Sequence, residues 1–176
     1  MFTPDYGNLY REIVKYHDFG GIRMKHPISS QLDMARGWSL DIAESCPVEL
    51  ADVQLDEFNN TIRWQLGHIL TVAERMLFQV PSPSAFLPSA FTRWFDSGSK
   101  PSDWMDQPPT MNSLISLLKQ QQEHLLAIPQ EQFDVRLDPP FHGFASYGEC
   151  AGFVIVHESF HAGKMDEMLR VIKRKS

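Results

Sequence analysis

The sequence predicts an all-α protein, a four-helix bundle with a long crossover between the second and third helices and an N-terminal helical extension. Three observations carry this. Four stretches place apolar residues at the 3.6-residue period of a helix face. No run alternates apolar and polar residues over strand length between turn pairs, and no repeat of fixed period appears. The second and third stretches are separated by a Pro- and Ser-rich crossing too long for a tight turn.

The elements follow in chain order. Asp5 to Asp18 reads as a helix with Thr3 as N-cap, Pro4 at its first position and Gly20-Gly21 as its stop. Residues 1–26 form an extension, and 27–176 the main body. Ile28 to Ser45 carries Ile28, Leu32, Ala35, Leu40 and Ile42 near helical spacing and is closed by Pro47. From Leu55 to Gln79 the stripe is Ile62, Leu66, Ile69, Ala73, Met76 and Leu77, stopped by Pro81 and Pro83. The crossing from Val80 to Thr110 holds one short helix near Ala90 to Phe95. Thr110 caps a helix with Leu114, Leu117, Leu118, Gln121 and Leu125 on one stripe, ending near Pro129. Ser146-Tyr147-Gly148-Glu149 is a capping box that opens the last helix.

The 176 residues carry a net charge of -6, and Arg170, Lys173, Arg174 and Lys175 gather at the tail. They suit the C-terminal end of a helix dipole, and no extended basic face points to nucleic acid. Apolar runs such as Phe153 to Val156 are far shorter than the roughly 20 residues that span a bilayer. Met1-Phe2-Thr3-Pro4-Asp5 has neither a basic nor an apolar leader pattern, and only Cys46 and Cys150 are present; a cytoplasmic address is expected.

The chemistry is concentrated in His157-Glu158-Ser159-Phe160-His161 on the last helix. Residues four apart lie one above the other on a helix, so both imidazoles can reach one metal ion. The pentapeptide is short enough to arise by chance and needs a third ligand. His17 falls in the extension, His26 precedes Pro27 in a turn, His142 lies in an irregular loop, and His124 sits on a Gln-rich solvated face. His68 lies mid-helix beside the core stripe, with Gly67 admitting a close neighbour. His68, His157 and His161 are therefore the expected triad, a three-nitrogen set that leaves a fourth position open.

These pieces resemble the DinB-like (DinB/YfiT) superfamily of metal-binding four-helix bundles. The resemblance rests on Asn59-Asn60-Thr61-Ile62-Arg63-Trp64-Gln65-Leu66-Gly67-His68, on Phe95-Asp96-Ser97-Gly98-Ser99-Lys100-Pro101, and on His157 through Gly163, in that order and spacing. It implies an up-down-down-up bundle, a divalent metal on His68, His157 and His161, and commonly a homodimer. Characterised relatives are thiol S-transferases or a thiol-dependent isomerase using low-molecular-weight thiols. One departure is Gly163-Lys164, where the family often has Gly-Gln; Lys164 would place a cation near the pocket mouth for an anionic substrate.

The expected activity is a metal-dependent thiol S-transferase that joins a small thiol to an electrophile, with Glu158, Gln65 and Lys164 as catalytic candidates tuning ligands or substrate. Imidazole suits Zn, Ni, Fe and Cu, and Zn or Ni is the expected ion. Three rivals remain. A zincin would use Glu158 as general base, but its third ligand lies downstream, where this chain has no His. A di-iron site needs a second Glu-x-x-His, which is absent. A non-catalytic bundle could hold metal for stability or sensing, with Cys150 as the one residue able to close the site.

Overall fold

A computed structural model describes residues 26–80 and 86–175. The extension and the helix read over Asp5 to Asp18 lie outside the described residues, as does His17. The described residues are all-α apart from one small hairpin. The helices are α1 (Pro27–Ser45), α2 (Ile62–Phe78), the short α3 (Ala90–Phe95), α4 (Met111–Leu126) and α5 (Tyr147–Lys175). No helix among the described residues is long and apolar enough to cross a membrane.

Each start has a local cause. Pro27 opens α1, and the helix is capped by His26, whose Nδ1 accepts from the Ile28 amide at 3.3 Å. His26 thus caps the start of a helix. α2 starts at Ile62 and not at Leu55, because the Thr61 hydroxyl takes the Trp64 amide at 3.3 Å and residues 55–60 turn before it. Thr110 caps α4 as its sequence predicts, accepting from Ser113 at 3.2 Å. Ser146 caps α5 by accepting from the Glu149 amide at 3.2 Å, while Glu149 reaches back one residue further than expected, to the Ala145 amide at 2.7 Å.

The hairpin between α4 and α5 was not expected. β1 (Arg136–Phe141) pairs antiparallel with β2 (Phe144–Ser146). Pro139 and Pro140 remove two amides from β1 and disguise it as loop, whereas the turn at His142 and Gly143 takes positive φ at both residues (51° and 88°), as a two-residue hairpin turn demands.

α1 and α2 each pack against both α4 and α5, so the four long helices share one interior. That interior is divided. One apolar cluster holds Leu40, Ile62, Leu66, Leu70, Phe95, Leu114, Leu118, Met165 and Leu169; the other holds Leu32, Met76, Leu77, Leu125, Phe133, Tyr147 and Val154. Burial of these side chains is the main source of stability, at about 1.5–3 kcal/mol each before entropy is set against it. α3 lays Phe91 and Phe95 onto the first cluster.

Candidate functional site

His68, His157 and His161 converge, each offering one ring nitrogen, with all three nitrogens within 4.8 Å of one another. α2 supplies the first and α5 the other two. His157 Nε2 stands 3.2 Å from His68 Nε2. His68 and His161 are buried; His157 is partly exposed and opens the group towards solvent.

Two rings have their orientation set by hydrogen bonds. His68 Nδ1 donates to the Phe95 carbonyl at 2.7 Å, and a carbonyl can only accept, so the proton sits on Nδ1 and the Nε2 lone pair faces the other histidines. Trp64 stacks on the same ring, 4.6 Å between centroids and 16° from parallel. His161 Nδ1 donates to Gln65 Oε1 at 2.5 Å, which in the same way frees Nε2. Gln65 and His68 are three apart on α2 and so share a face.

Gly67 explains why Phe95 can come so close. A Cβ there would lie 2.3 Å from the Phe95 ring, so the bare backbone of α2 is what admits the end of α3 beside His68. The close neighbour is the short helix α3 of the crossover.

The three rings favour the neutral form. Burial, with the other two rings and Lys164 adding repulsion, pushes His161 down to about 3. Burial and His68 push His157 down to about 4, and burial also lowers His68. Neutral imidazole is the form that ligates a metal. The spacing fits as well. Two nitrogens on one tetrahedral ion, with bonds of about 2.0–2.1 Å, stand about 3.3–3.4 Å apart. Neutral rings brought as close as His68 and His157 must share either a proton or a cation. The donor set therefore suits a borderline divalent ion.

Lys164 holds its Nζ 5.2 Å from the centroid of Phe160, and its charge helps to depress both His161 and His68. Phe160 and Phe153 flank the histidines, with ring centroids 5.7 Å from His161 and 5.6 Å from His157. Both aromatic rings are exposed. The rim thus combines apolar surface with one cation.

Glu158 is placed elsewhere. It is 1% exposed and holds Arg36 by two contacts, Oε1 to Nε at 2.6 Å and Oε2 to Nη2 at 3.1 Å. Arg36, fully buried, also donates to the Leu118 carbonyl and Gln121 Oε1, both at 3.1 Å. Gln121 Nε2 in turn reaches the Leu70 carbonyl and Glu74 Oε2, each at 3.2 Å. Glu74 Oε1 accepts from the Phe86 and Leu87 amides. Sequence reasoning missed Arg36 and Glu74. The available signal was a charge on each apolar stripe, Arg36 beside Ala35 and Glu74 beside Ala73.

Cys150 takes no part in the cluster. It is buried with Val154 and Tyr147, and burial pushes its thiol up. Among the described residues, the metal-competent group contains His68, His157 and His161 and no cysteine. His142 is exposed, and His124, also exposed, stands edge-on to Phe86 at 4.7 Å. Compared with known proteins, residues 31–165 match a family model described as the DinB superfamily. No curated protein matches the chain.

Proposed function

The chain belongs to the DinB superfamily, and from that premise we propose that it is a metal-dependent enzyme of the thiol S-transferase type, with His68, His157 and His161 holding one divalent ion, Zn or Ni. The single observation that carries the metal reading is the convergence of three desolvated imidazoles, two of them oriented by Gln65 and the Phe95 carbonyl. A divalent ion held by three neutral nitrogens supplies Lewis acidity at an open position, lowering the pKa of a thiol or water that reaches it.

The protein's own groups do the rest. Gln65 and the Phe95 carbonyl keep the ring protons of His161 and His68 on Nδ1 and their lone pairs inward, so neither of these rings must reorient to bind. Trp64 excludes water from one face of His68. Lys164 would attract an anionic group on the thiol or the electrophile, and Phe153 and Phe160 would accept an apolar body. A homodimer with the up-down-down-up arrangement is proposed on the family resemblance.

Two rivals are weakened by Glu158 and Cys150. A zincin-type general base needs a free carboxylate oxygen facing the ion, whereas both oxygens of Glu158 accept from Arg36. A structural site closed by Cys150 would need that thiol among the histidines, and it lies in the second apolar cluster. A non-catalytic metal-binding bundle remains the second reading.

Elemental analysis of the purified protein is expected to give one equivalent of metal per chain and a marked loss in His68→Ala. Equal metal content in that variant would overturn the ligand set. A panel of small thiols with a model electrophile then tests turnover: conjugation abolished by a chelator supports the transferase, and silence across the panel supports the binding protein.

A further inference from the structure

We propose that Arg36 is a positioning residue for the histidine cluster, acting through Glu158 to set the rotation of α5 about its own axis; this rests on the reading of His68, His157 and His161 as a metal site. α1 and α4 supply no ligand to that site. They nevertheless join the two helices that do. The path runs from Glu158 on α5 to Arg36 on α1, to Gln121 on α4, and to the Leu70 carbonyl and Glu74 on α2, every link between 2.6 and 3.2 Å.

The network separates the two apolar clusters. Arg36 lies between Leu32 and Leu40, Gln121 between Leu118 and Leu125, and Glu158 between Val154 and Met165, in each case between a residue of one cluster and a residue of the other. A buried ion pair is a poor source of stability, because desolvation offsets its attraction. Its planar, two-pronged geometry is orientation-demanding in a way that apolar packing is not. Apart from His161, the buried residues of α5 nearest Glu158 are Ala151, Val154, Ala162 and Met165, small or flexible side chains that tolerate rotation.

Small rotations matter to a metal site. Side-chain tips stand roughly 5–6 Å from a helix axis, so 10° of rotation carries them about 1 Å. A preorganised site tolerates only about 0.5 Å. Glu158 sits between the two histidines of α5 in sequence, so a clamp on its carboxylate fixes the azimuth of both. Arg36 cannot drift with it, because the Leu118 carbonyl and Gln121 hold its remaining nitrogens.

The test uses the full chain, stripped of metal and titrated with Co²⁺ while visible absorption reports affinity and coordination. Alongside wild type are Arg36→Met, the double variant Arg36→Met/Glu158→Leu, which leaves no lone buried charge, Glu158→Gln, and His68→Ala as the control for the metal reading. Stability is followed by urea unfolding. The double variant is expected to fold with a midpoint near wild type yet bind Co²⁺ at least tenfold more weakly, with an altered spectrum. Glu158→Gln, which keeps the shape but only one acceptor, is expected to lose at least threefold. In the metal-free protein, ring-proton contacts by NMR between His68 and the α5 histidines, whose centroids are 5.0 and 4.9 Å away, should weaken in the same variants. Wild-type Co²⁺ affinity and spectrum in a folded double variant would overturn the positioning role, and if that variant fails to fold, unchanged affinity in Glu158→Gln does so. Should wild type bind no Co²⁺, or His68→Ala bind it equally, the metal reading fails instead. The NMR contacts then decide the positioning role alone, unchanged contacts refuting it.

Discussion

Gly67→Ala offers the clearest test of how the crossover supports the site, because two effects of opposite sign compete in it. Replacing a mid-helix glycine by alanine ordinarily stabilises by about 1 kcal/mol. Here the new Cβ would stand 2.3, 2.4 and 2.5 Å from three atoms of the Phe95 ring, about 0.9–1.1 Å inside the ordinary contact of 3.4 Å. The ring has nowhere to go: Phe95 is 0% exposed and is met by Phe91 at 5.4 Å and Trp104 at 5.7 Å between centroids. Overpacking of this kind costs about 1–3 kcal/mol, so the net expectation is a loss of up to about 2 kcal/mol. The displacement also carries the Phe95 carbonyl away from His68 Nδ1, now 2.7 Å distant. Loss of such an orienting partner typically lowers metal affinity about 10- to 100-fold. Urea unfolding of the metal-free protein measures the first quantity and calorimetric Zn²⁺ titration the second. A variant that gains stability and binds Zn²⁺ as wild type would refute both the steric account and the role of the crossover.

Gln65→Leu removes the acceptor for His161 Nδ1; Zn²⁺ affinity should fall about 10- to 100-fold, and the buried imidazole N–H left without a partner should cost about 1–3 kcal/mol by urea unfolding. Tyr147→Phe deletes the buried hydroxyl that donates to the Leu77 carbonyl at 2.8 Å and should cost about 1 kcal/mol at unchanged Zn²⁺ affinity, separating stability from site geometry. In the metal-free protein, stability should fall with acid over a window set by the histidines. Unfolded imidazoles titrate near 6.5, but burial holds His157 at about 4 and His161 at about 3. Below about 6.5 the unfolded chain therefore binds more protons than the folded one, so stability is lost as pH drops towards 4, while above 7 these groups contribute no slope. The His157→Asn/His161→Asn double variant should flatten that part of the curve, and an unchanged slope would show that other groups carry it.

Much of this was legible because it is local. Helix periods, the Thr110 cap, the Ser146 cap of α5 and the stretch Ala90–Phe95 depend on neighbours in sequence. The i, i+4 pair of histidines shares a face by helix geometry alone. What escaped depends on contacts between residues far apart in the chain. The hairpin was hidden by two prolines in β1, since strand signals weigh against Pro wherever it stands. The partner of Gly67 could not be read, because a glycine advertises close approach without saying of what. The Arg36–Gln121–Glu74 network was not read for a different reason: a single polar residue on an apolar stripe looks like an exception on each helix, and only packing reveals that three exceptions and Glu158 meet at one level.

That level bears on the meaning of His157-Glu158-Ser159-Phe160-His161. The two histidines can face one ion in any helix that carries them, but the role of the intervening glutamate is decided by what lies about 100° around the axis. In a peptidase that direction must open towards the ion and its water; in this chain it meets a fully buried guanidinium held from a third helix. The same pentapeptide can therefore offer ligands in both settings, and a general base only where the glutamate is left free. Arg36, more than any residue of the motif, separates the two chemistries here. A sequence that keeps the motif but places an aliphatic residue at the position of Arg36 should be expected either to lose the glutamate as well or to turn it to another use, since a lone buried carboxylate costs several kcal/mol.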